Sequence, residues 1–400
     1  MKLVVITPLP PPFGGVSVFV KDLVHALARE GVRQTVLTQR SYEFEMFRRE
    51  SVSYAYDPTA HADLRDRGVA VQAIYDYPLS VRATRRGLDE LDGDLYRRLA
   101  AVLETERPDL VSCQYATGTF REAARAARAA RIPFVLTLQS MTSLVARHGT
   151  LGLRGLSPDE VAELIQRSTH AVVVSDEMLA YCRDQGLANV SVIPNGVNLD
   201  RFRPASRVSR RGILYVGRTV DFKGLRELCE AYVTVETELL DDLLLLLGTR
   251  IDHDSFERTG FGLRGDARAH LARLIDRGRI RLLGEVKHDE IAPHYQRARV
   301  FALPSLTEGS PVSVLEALAC GTPVVASDVG GVPAVVQNGW NGFRTPAGAV
   351  DRLAEALLRA RRLDDGGLAT RCRESVRRFS MVETARRYRG LFEKLVGGER

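Results

Sequence analysis

Leu303-Pro304-Ser305-Leu306-Thr307-Glu308-Gly309-Ser310-Pro311-Val312-Ser313-Val314-Leu315-Glu316-Ala317 is the stretch from which the fold is read. Ahead of it, Val300–Leu303 is an apolar run of strand length. Ser310 reads as a helix N-cap and Pro311 as the first helical residue. The helix then runs through Cys320, Gly321 closes it, and Pro323–Ala326 begins another strand. A strand, a loop, a helix and a second strand in direct succession form a βαβ unit, which implies a parallel sheet. The loop follows a strand and leads into a helix N-terminus, whose free N–H groups attract anions.

The same alternation extends in both directions. Downstream of residue 211 it runs Gly212–Val216 strand, Leu225–Thr237 helix, Leu243–Leu247 strand, Ala267–Asp276 helix, Ile280–Leu283 strand and His288–Ala298 helix. From Val350 to Leu395 the pattern is almost wholly helical. Upstream, strands are expected at Lys2–Thr7, Gln34–Thr38, Val69–Ile74, Asp109–Cys113, Pro133–Leu138, Ala171–Ser175 and Val190–Ile193. Helices are expected at Val16–Glu30, Asp94–Glu106, Arg121–Ala130, Pro158–Arg167 and Asp176–Gln185. Residues 40–68, rich in Arg, Glu and Tyr, break the rhythm and read as a surface excursion, as does the Gly-containing Arg147–Gly155. The polar segment 199–211, with Pro204 and two serines, has linker composition. The expected organisation is an N-terminal α/β domain over 1–198, a linker over 199–211 and a second α/β domain over 212–378. Ligands of such sheets bind beyond the carboxyl ends of the strands, and pockets gather between domains.

Composition sets bounds on function. The chain has 400 residues, 45% hydrophobic and 26% charged, which is globular rather than disordered. No apolar run reaches the ~18 residues of a membrane span, and the prolines from Pro8 to Pro12 interrupt any signal peptide. The five cysteines, Cys113, Cys182, Cys229, Cys320 and Cys372, are scattered without a CxxC. They read as small buried hydrophobes in a reducing cytoplasm, or at the inner face of a membrane as a peripheral protein. The net charge of +6 suits phosphorylated substrates, anionic surfaces or nucleic acid, and does not choose among them.

Three constellations carry chemistry. Pro12-Phe13-Gly14-Gly15 follows the first strand, leaving bare backbone at a helix start, where phosphate binds well. Tyr215-Val216-Gly217-Arg218 with Lys223-Gly224 places two cations after a strand. That spacing can clamp a diphosphate, with Arg bidentate and Lys as a point charge. Glu308 lies on the loop of the opening stretch and could meet a sugar hydroxyl. Glu316, in the second helical turn, can accept hydrogen bonds from two hydroxyls at once, as a ribose requires.

Together these motifs resemble the retaining GT-B glycosyltransferases of the large family 4 group. The resemblance includes Val192-Ile193-Pro194-Asn195-Gly196-Val197-Asn198 with Phe202 and Pro204. It also takes in Gly321-Thr322-Pro323-Val324-Val325-Ala326, Gly330-Gly331 and Asn338-Gly339-Trp340-Asn341-Gly342. It implies two Rossmann-like parallel-sheet domains facing across a cleft, and a C-terminal helix, about 379–400, crossing back to the first domain. It implies a nucleotide-diphosphate sugar as co-substrate, UDP-linked first and GDP-linked next, with no essential metal and no other cofactor. The acceptor is a sugar, a lipid-linked sugar or a small molecule, with peripheral membrane contact allowed. By the same resemblance, Gly14 and Gly15 approach the diphosphate, Gly217 opens the turn, and Arg218 and Lys223 stabilise the leaving nucleotide. Glu308 meets the donor sugar, the amides of Gly309, Ser310, Pro311–Val312 bind sugar and phosphate, and Glu316 holds the ribose. Backbone near Val286 meets the base. Two positions depart from the family pattern. Gln139 stands where the family has a His at the sugar, and Gln cannot become a cation. Ala334 stands where many members have Glu.

Other patterns read as structural. Gly260-Phe261-Gly262-Leu263-Arg264-Gly265 matches a dinucleotide fingerprint but lacks the preceding strand. Asp252-His253-Asp254 reads as a solvated loop rather than a metal site. His148 and His288 read as surface residues. Arg82, Arg85 and Arg86 with Tyr75 and Tyr77 read as a solvated face. Rival functions are a nucleotide-sugar epimerase of GT-B architecture and a non-catalytic nucleotide-sugar-binding protein. Nucleic-acid binding lacks the interleaved aromatic and basic residues it needs.

Overall fold

The computed structural model describes residues 1–7, 9, 15–46, 50–55, 57–77, 85–114, 119–141, 158–206, 208–239, 243–248, 251–363 and 366–398. The chain forms two compact units. Unit 1 comprises Met1–Gly196 and Met381–Arg400, and unit 2 comprises Val197–Ser380.

Unit 1 is built on an eight-stranded sheet. Its strands are β1 (Lys2–Ile6), β2 (Arg33–Met46), β3 (Glu50–Ala55), β4 (Ala70–Tyr77), β5 (Leu110–Cys113), β6 (Phe134–Leu138), β7 (His170–Val173) and β8 (Val190–Val192). The order is β3-β2-β1-β5-β6-β7-β8, with β4 also paired to β2. All pairs are parallel except β2 with β3. Strands β5 and β6 are buried at every position. A strand covered on both faces has no use for polar alternation, which is why these segments read as continuous apolar runs. The expected surface excursion over 40–68 is instead a continuation of β2 to Met46, a return along β3, and two short helical turns at Pro58–His61 and Ala62–Arg65. The reason is legible in Tyr42, Phe44 and Met46, which alternate with Ser41, Glu43 and Glu45 at the strand period of two. The C-terminal helix Met381–Val396 belongs to this unit. It buries Ala385, Tyr388 and Phe392, and Arg389 donates to the Glu30 carbonyl at 3.1 Å.

Unit 2 is built on a six-stranded parallel sheet of β9 (Ile213–Val216), β10 (Leu244–Leu247), β11 (Ile280–Gly284), β12 (Val300–Leu303), β13 (Val324–Ser327) and β14 (Gly342–Thr345). The order is β11-β10-β9-β12-β13-β14. From β9 the chain moves outward to β10 and β11, then returns to the other side of β9 as β12. That reversal is a topological switch point, and the crevice beyond the carboxyl ends of such a strand pair is where open α/β sheets bind ligands. Leu244, Leu246, Phe301 and Val325 form part of a single core, where shortening any one of these leucines to Ala would cost roughly 2–5 kcal/mol. Val197 bridges Ser380, so the chain enters and leaves unit 2 side by side. The polar segment after it is anchored to the same unit: Asn198 Oδ1 accepts from the N–H groups of Asp200 and Arg201, both at 3.1 Å, and Phe202 is buried. The expected helix His288–Ala298 is split into a 3-10 turn at His288–Glu290 and a helix at Ala292–Arg297.

All five cysteines are buried and free, and burial pushes the Cys182 thiol up to about 11. Among the described residues no helix is long and apolar enough to cross a membrane.

Candidate active site

The switch point of unit 2 brings two loops together. One follows β9 and carries Gly217, Arg218 and Lys223; the other follows β12 and carries Glu308. They are joined backbone to backbone, with Leu306 N–H donating to the Phe222 carbonyl at 2.8 Å. Gly224 has φ +69°, and a Cβ there would lie 1.9 Å from the Pro304 carbonyl oxygen, so only glycine permits this approach. The consequence is a direct ion pair. Lys223 Nζ donates to Glu308 Oε1 at 2.6 Å, and Ser305 Oγ donates to the same oxygen at 2.7 Å. Ser305 is wholly buried and Glu308 only 8% exposed, so the carboxylate is oriented rather than swept by water. Lys223 keeps two further N–H donors for another anion. The fully buried Tyr215 donates from its hydroxyl to the Arg218 carbonyl at 3.1 Å, which fixes the backbone of Arg218. Burial raises the Tyr215 phenol far above its ordinary range, so it stays a neutral donor.

The loop from Glu308 to Pro311 is backed by a second close approach. Gly331 N–H donates to the Gly309 carbonyl at 2.6 Å. Gly330 has φ +59°, and a Cβ there would sit 2.5 Å from the Glu308 carbonyl oxygen. The helix that follows spans Val312–Ala319. Ser310 does not cap it, contrary to expectation. Pro311 occupies the cap position with φ −70° and ψ 107°, and its ring offers no side-chain capping bond. The fixed φ of proline suits either position, so the extended ψ decides. The result is a helix N-terminus whose first N–H groups have no intrahelical acceptor.

Glu316 lies on that helix and is 4% exposed. Both of its oxygens are held: His288 Nε2 lies 2.6 Å from Oε1, and Tyr295 donates its hydroxyl to Oε2 at 2.8 Å. Tyr295 is fully buried, and burial, with Glu316 adding to it, raises its phenol well above the ordinary value. An ionised carboxylate has about four acceptor sites, so two donors leave room for two hydroxyls.

Thus the structure brings together Lys223 with Glu308, and carries Gly217, Arg218, Gly309, Ser310, Pro311, Val312 and Glu316 on the same three elements of unit 2. Val286 lies just beyond β11, partly buried against the core. In unit 1, Gly15 opens the helix Gly15–Arg29 after β1, while Gly14 lies outside the described residues. Gln139 follows β6, 5% exposed, with neither amide atom hydrogen-bonded among the described residues. Sequence reasoning missed Ser305, Tyr215, Tyr295 and His288. His288, expected at the surface, is a partner of Glu316 instead. Asp252 caps the helix His253–Thr259, accepting from Ser255 N–H at 2.7 Å. Gly260–Gly262 is a 3-10 turn between helices. His148 and Arg82 lie outside the described residues, as do the side chains of Tyr75, Tyr77, Arg85 and Arg86.

Two parallel sheets of this kind define the GT-B glycosyltransferase fold. Sucrose-phosphate synthase from Thermosynechococcus elongatus superposes with a TM-score of 0.70 at 21% identity over 100% of both chains. HepE from Anabaena, solved with UDP and glucose, does so with a TM-score of 0.71 at 18% identity, over 98% of this chain and 100% of that one. A model described as Glycosyltransferase Family 4 matches residues 13–201, and one described as Glycosyl transferases group 1 matches residues 210–362. The chain belongs to this family of glycosyltransferases. One relative is TuaC of Bacillus subtilis (strain 168), whose name gives a glycosyltransferase of teichuronic acid biosynthesis. It is 27% identical, covering 90% of this chain and 89% of TuaC. Another is a D-inositol 3-phosphate glycosyltransferase of Geodermatophilus obscurus, 28% identical over 88% of this chain and 80% of that protein.

Proposed function

We infer that this glycosyltransferase moves a sugar from a nucleotide-diphosphate sugar to an acceptor hydroxyl with retention of anomeric configuration. UDP-sugars are the first donors to test and GDP-sugars the next. The observation that carries the reading is the Lys223–Glu308 pair at the switch point of unit 2, with Glu308 on the loop that leads into the helix of Glu316. The relatives' names and the UDP complex of HepE support it.

In this reading Glu316 binds the ribose, backbone near Val286 meets the base, and the N–H groups of Gly309, Ser310 and Val312 serve the donor sugar and phosphate, Pro311 having none to give. Arg218 and Lys223 take up the charge that develops as the C1–O bond to the diphosphate breaks, aided by the helix N-terminus. Gly15 offers backbone to the diphosphate, and Gln139 contacts the sugar. Glu308 orients Lys223 and a sugar hydroxyl; held by Lys223 and Ser305, it is not placed to form a covalent sugar adduct. The acceptor oxygen attacks C1 on the face the nucleotide leaves, and a diphosphate oxygen takes its proton. Because side-chain cations carry the leaving-group charge, chelation by EDTA should leave the rate unchanged.

The test is the anomeric configuration of product formed from an α-configured donor and an acceptor extract, read by NMR. An α-linked product agrees. A β-linked product overturns retention, and conversion of the donor sugar without acceptor overturns transfer.

A further inference from the structure

His288 makes contacts that the reading above does not use. Its Nδ1 lies 2.9 Å from Arg201 Nη1, and its Nε2 lies 2.6 Å from Glu316 Oε1. An arginine guanidinium only donates, so Nδ1 must accept, and the single ring proton must sit on Nε2. The imidazole is therefore neutral and donates to the carboxylate. Arg201 imposes this tautomer from the Asn198 turn, which Arg373 clamps by donating to the carbonyls of Leu199 and Phe202, both at 2.9 Å. The ring is flanked by Phe202, with ring centroids 5.4 Å apart.

We propose that His288, locked as the Nε2–H tautomer by Arg201, is a positioning residue that fixes the Glu316 carboxylate for bidentate capture of the nucleotide ribose. Tyr295 secures Oε2, and His288 secures Oε1. With both oxygens fixed, the remaining lone pairs keep a single orientation toward the two ribose hydroxyls. Without His288, the carboxylate can turn about the Tyr295 bond and lose one of them. The inference rests on Glu316 being the ribose ligand.

The experiment separates the two ideas. UDP, GDP and ADP are screened by calorimetry, and the nucleotide that binds is compared with its 2′-deoxy counterpart. Wild type should prefer the ribonucleotide by about 10-fold or more, the scale of one charge-assisted hydrogen bond. Glu316→Gln should cut that preference to about threefold or less, since a neutral amide offers one acceptor oxygen. His288→Ala should cut it at least about fivefold, while His288→Gln, whose amide N–H reaches the place of Nε2, should stay within about twofold of wild type. Arg201→Ala, which releases the tautomer, should lower it at least about threefold and serves if His288→Ala does not fold. No preference in wild type, or no bound nucleotide, overturns the ribose reading and this inference with it. A preference lost in Glu316→Gln but kept in His288→Ala and Arg201→Ala overturns the inference alone. Equal loss in His288→Ala and His288→Gln would mean packing rather than positioning, and overturns it too.

Discussion

Replacing Lys223 by Met removes one charge from a pair whose partner cannot follow it into water. The Lys223 ammonium lies 2.6 Å from Glu308, with side-chain exposures of 20% and 8%. At an effective dielectric of about 20, charges at that distance attract by roughly 6 kcal/mol, most of it offset by desolvation. Removing one partner leaves Glu308 held by Ser305 without its cation, at a cost of about 3 kcal/mol. For a unit of this size that lowers its melting temperature by very roughly 6–12 °C. Turnover should fall about 10²-fold or more, the scale seen when one transition-state donor is lost. The double variant Lys223→Met with Glu308→Gln separates the two effects. It has no stranded charge, so stability should return to within about 1 kcal/mol of wild type. Turnover should stay low, because the leaving group still lacks its cation. Thermal melts and initial rates on the three proteins decide the matter. A Lys223→Met protein as stable and as active as wild type would remove the pair from both roles. A double variant that regains turnover would remove it from catalysis.

Gly330→Ala should force the Glu308–Gly309 loop to shift, because the added carbon would lie 2.5 Å from the Glu308 carbonyl at a φ of +59°. Denaturation should show a loss of roughly 1–3 kcal/mol and rate assays a fall of about tenfold or more, the strain being local to the site. Gln139→Leu removes two buried amide atoms that have no partner among the described residues, so the variant should gain about 1 kcal/mol in denaturant melts while losing turnover. A variant with unchanged activity would remove Gln139 from the sugar site. In unit 1, burial, with Lys21 adding to it, lowers the His61 pKa from 6.5 to about 4, and His25 is shifted the same way by burial. The unfolded chain therefore binds more protons between these values, and stability must fall as pH drops from 6.5 toward 4. For His61 alone the loss is about 2 kcal/mol at pH 5 relative to pH 7. Urea melts at the two pH values, repeated on His61→Gln, should show that part of the slope vanish.

Much of unit 2 was legible because its signals are local. The apolar run Leu243–Leu247 can only be a strand covered on both faces, and Glu308 and Glu316 take their places from one loop and one helix. The glycines at 224, 330 and 331 mark close approaches to other backbone and Gly217 leaves room for the Tyr215 ring, although what each approaches appears only in three dimensions. The partners of Glu316 were not legible. His288 and Tyr295 come from a separate turn and helix, and nothing in local periodicity says that either faces a carboxylate on another element. His288 carries no neighbouring motif that separates it from a surface histidine. The hairpin of β2 and β3 was missed for a different reason. Its polar residues were read as loop composition, while the alternation of Tyr42, Phe44 and Met46 was the stronger signal. The cap at Pro311 turned on ψ, which proline leaves open.

In the proposed reaction unit 2 holds a nucleotide-diphosphate sugar, and Lys223 assists the departure of its nucleotide. This is tested most directly by nucleotide release from a panel of UDP-, GDP- and ADP-sugars with an acceptor extract, on wild type and Lys223→Met in parallel. Release is expected from one donor class, dependent on the extract and about 10²-fold lower in the variant. Release at equal rates from both proteins, or none from wild type with any donor, would contradict it.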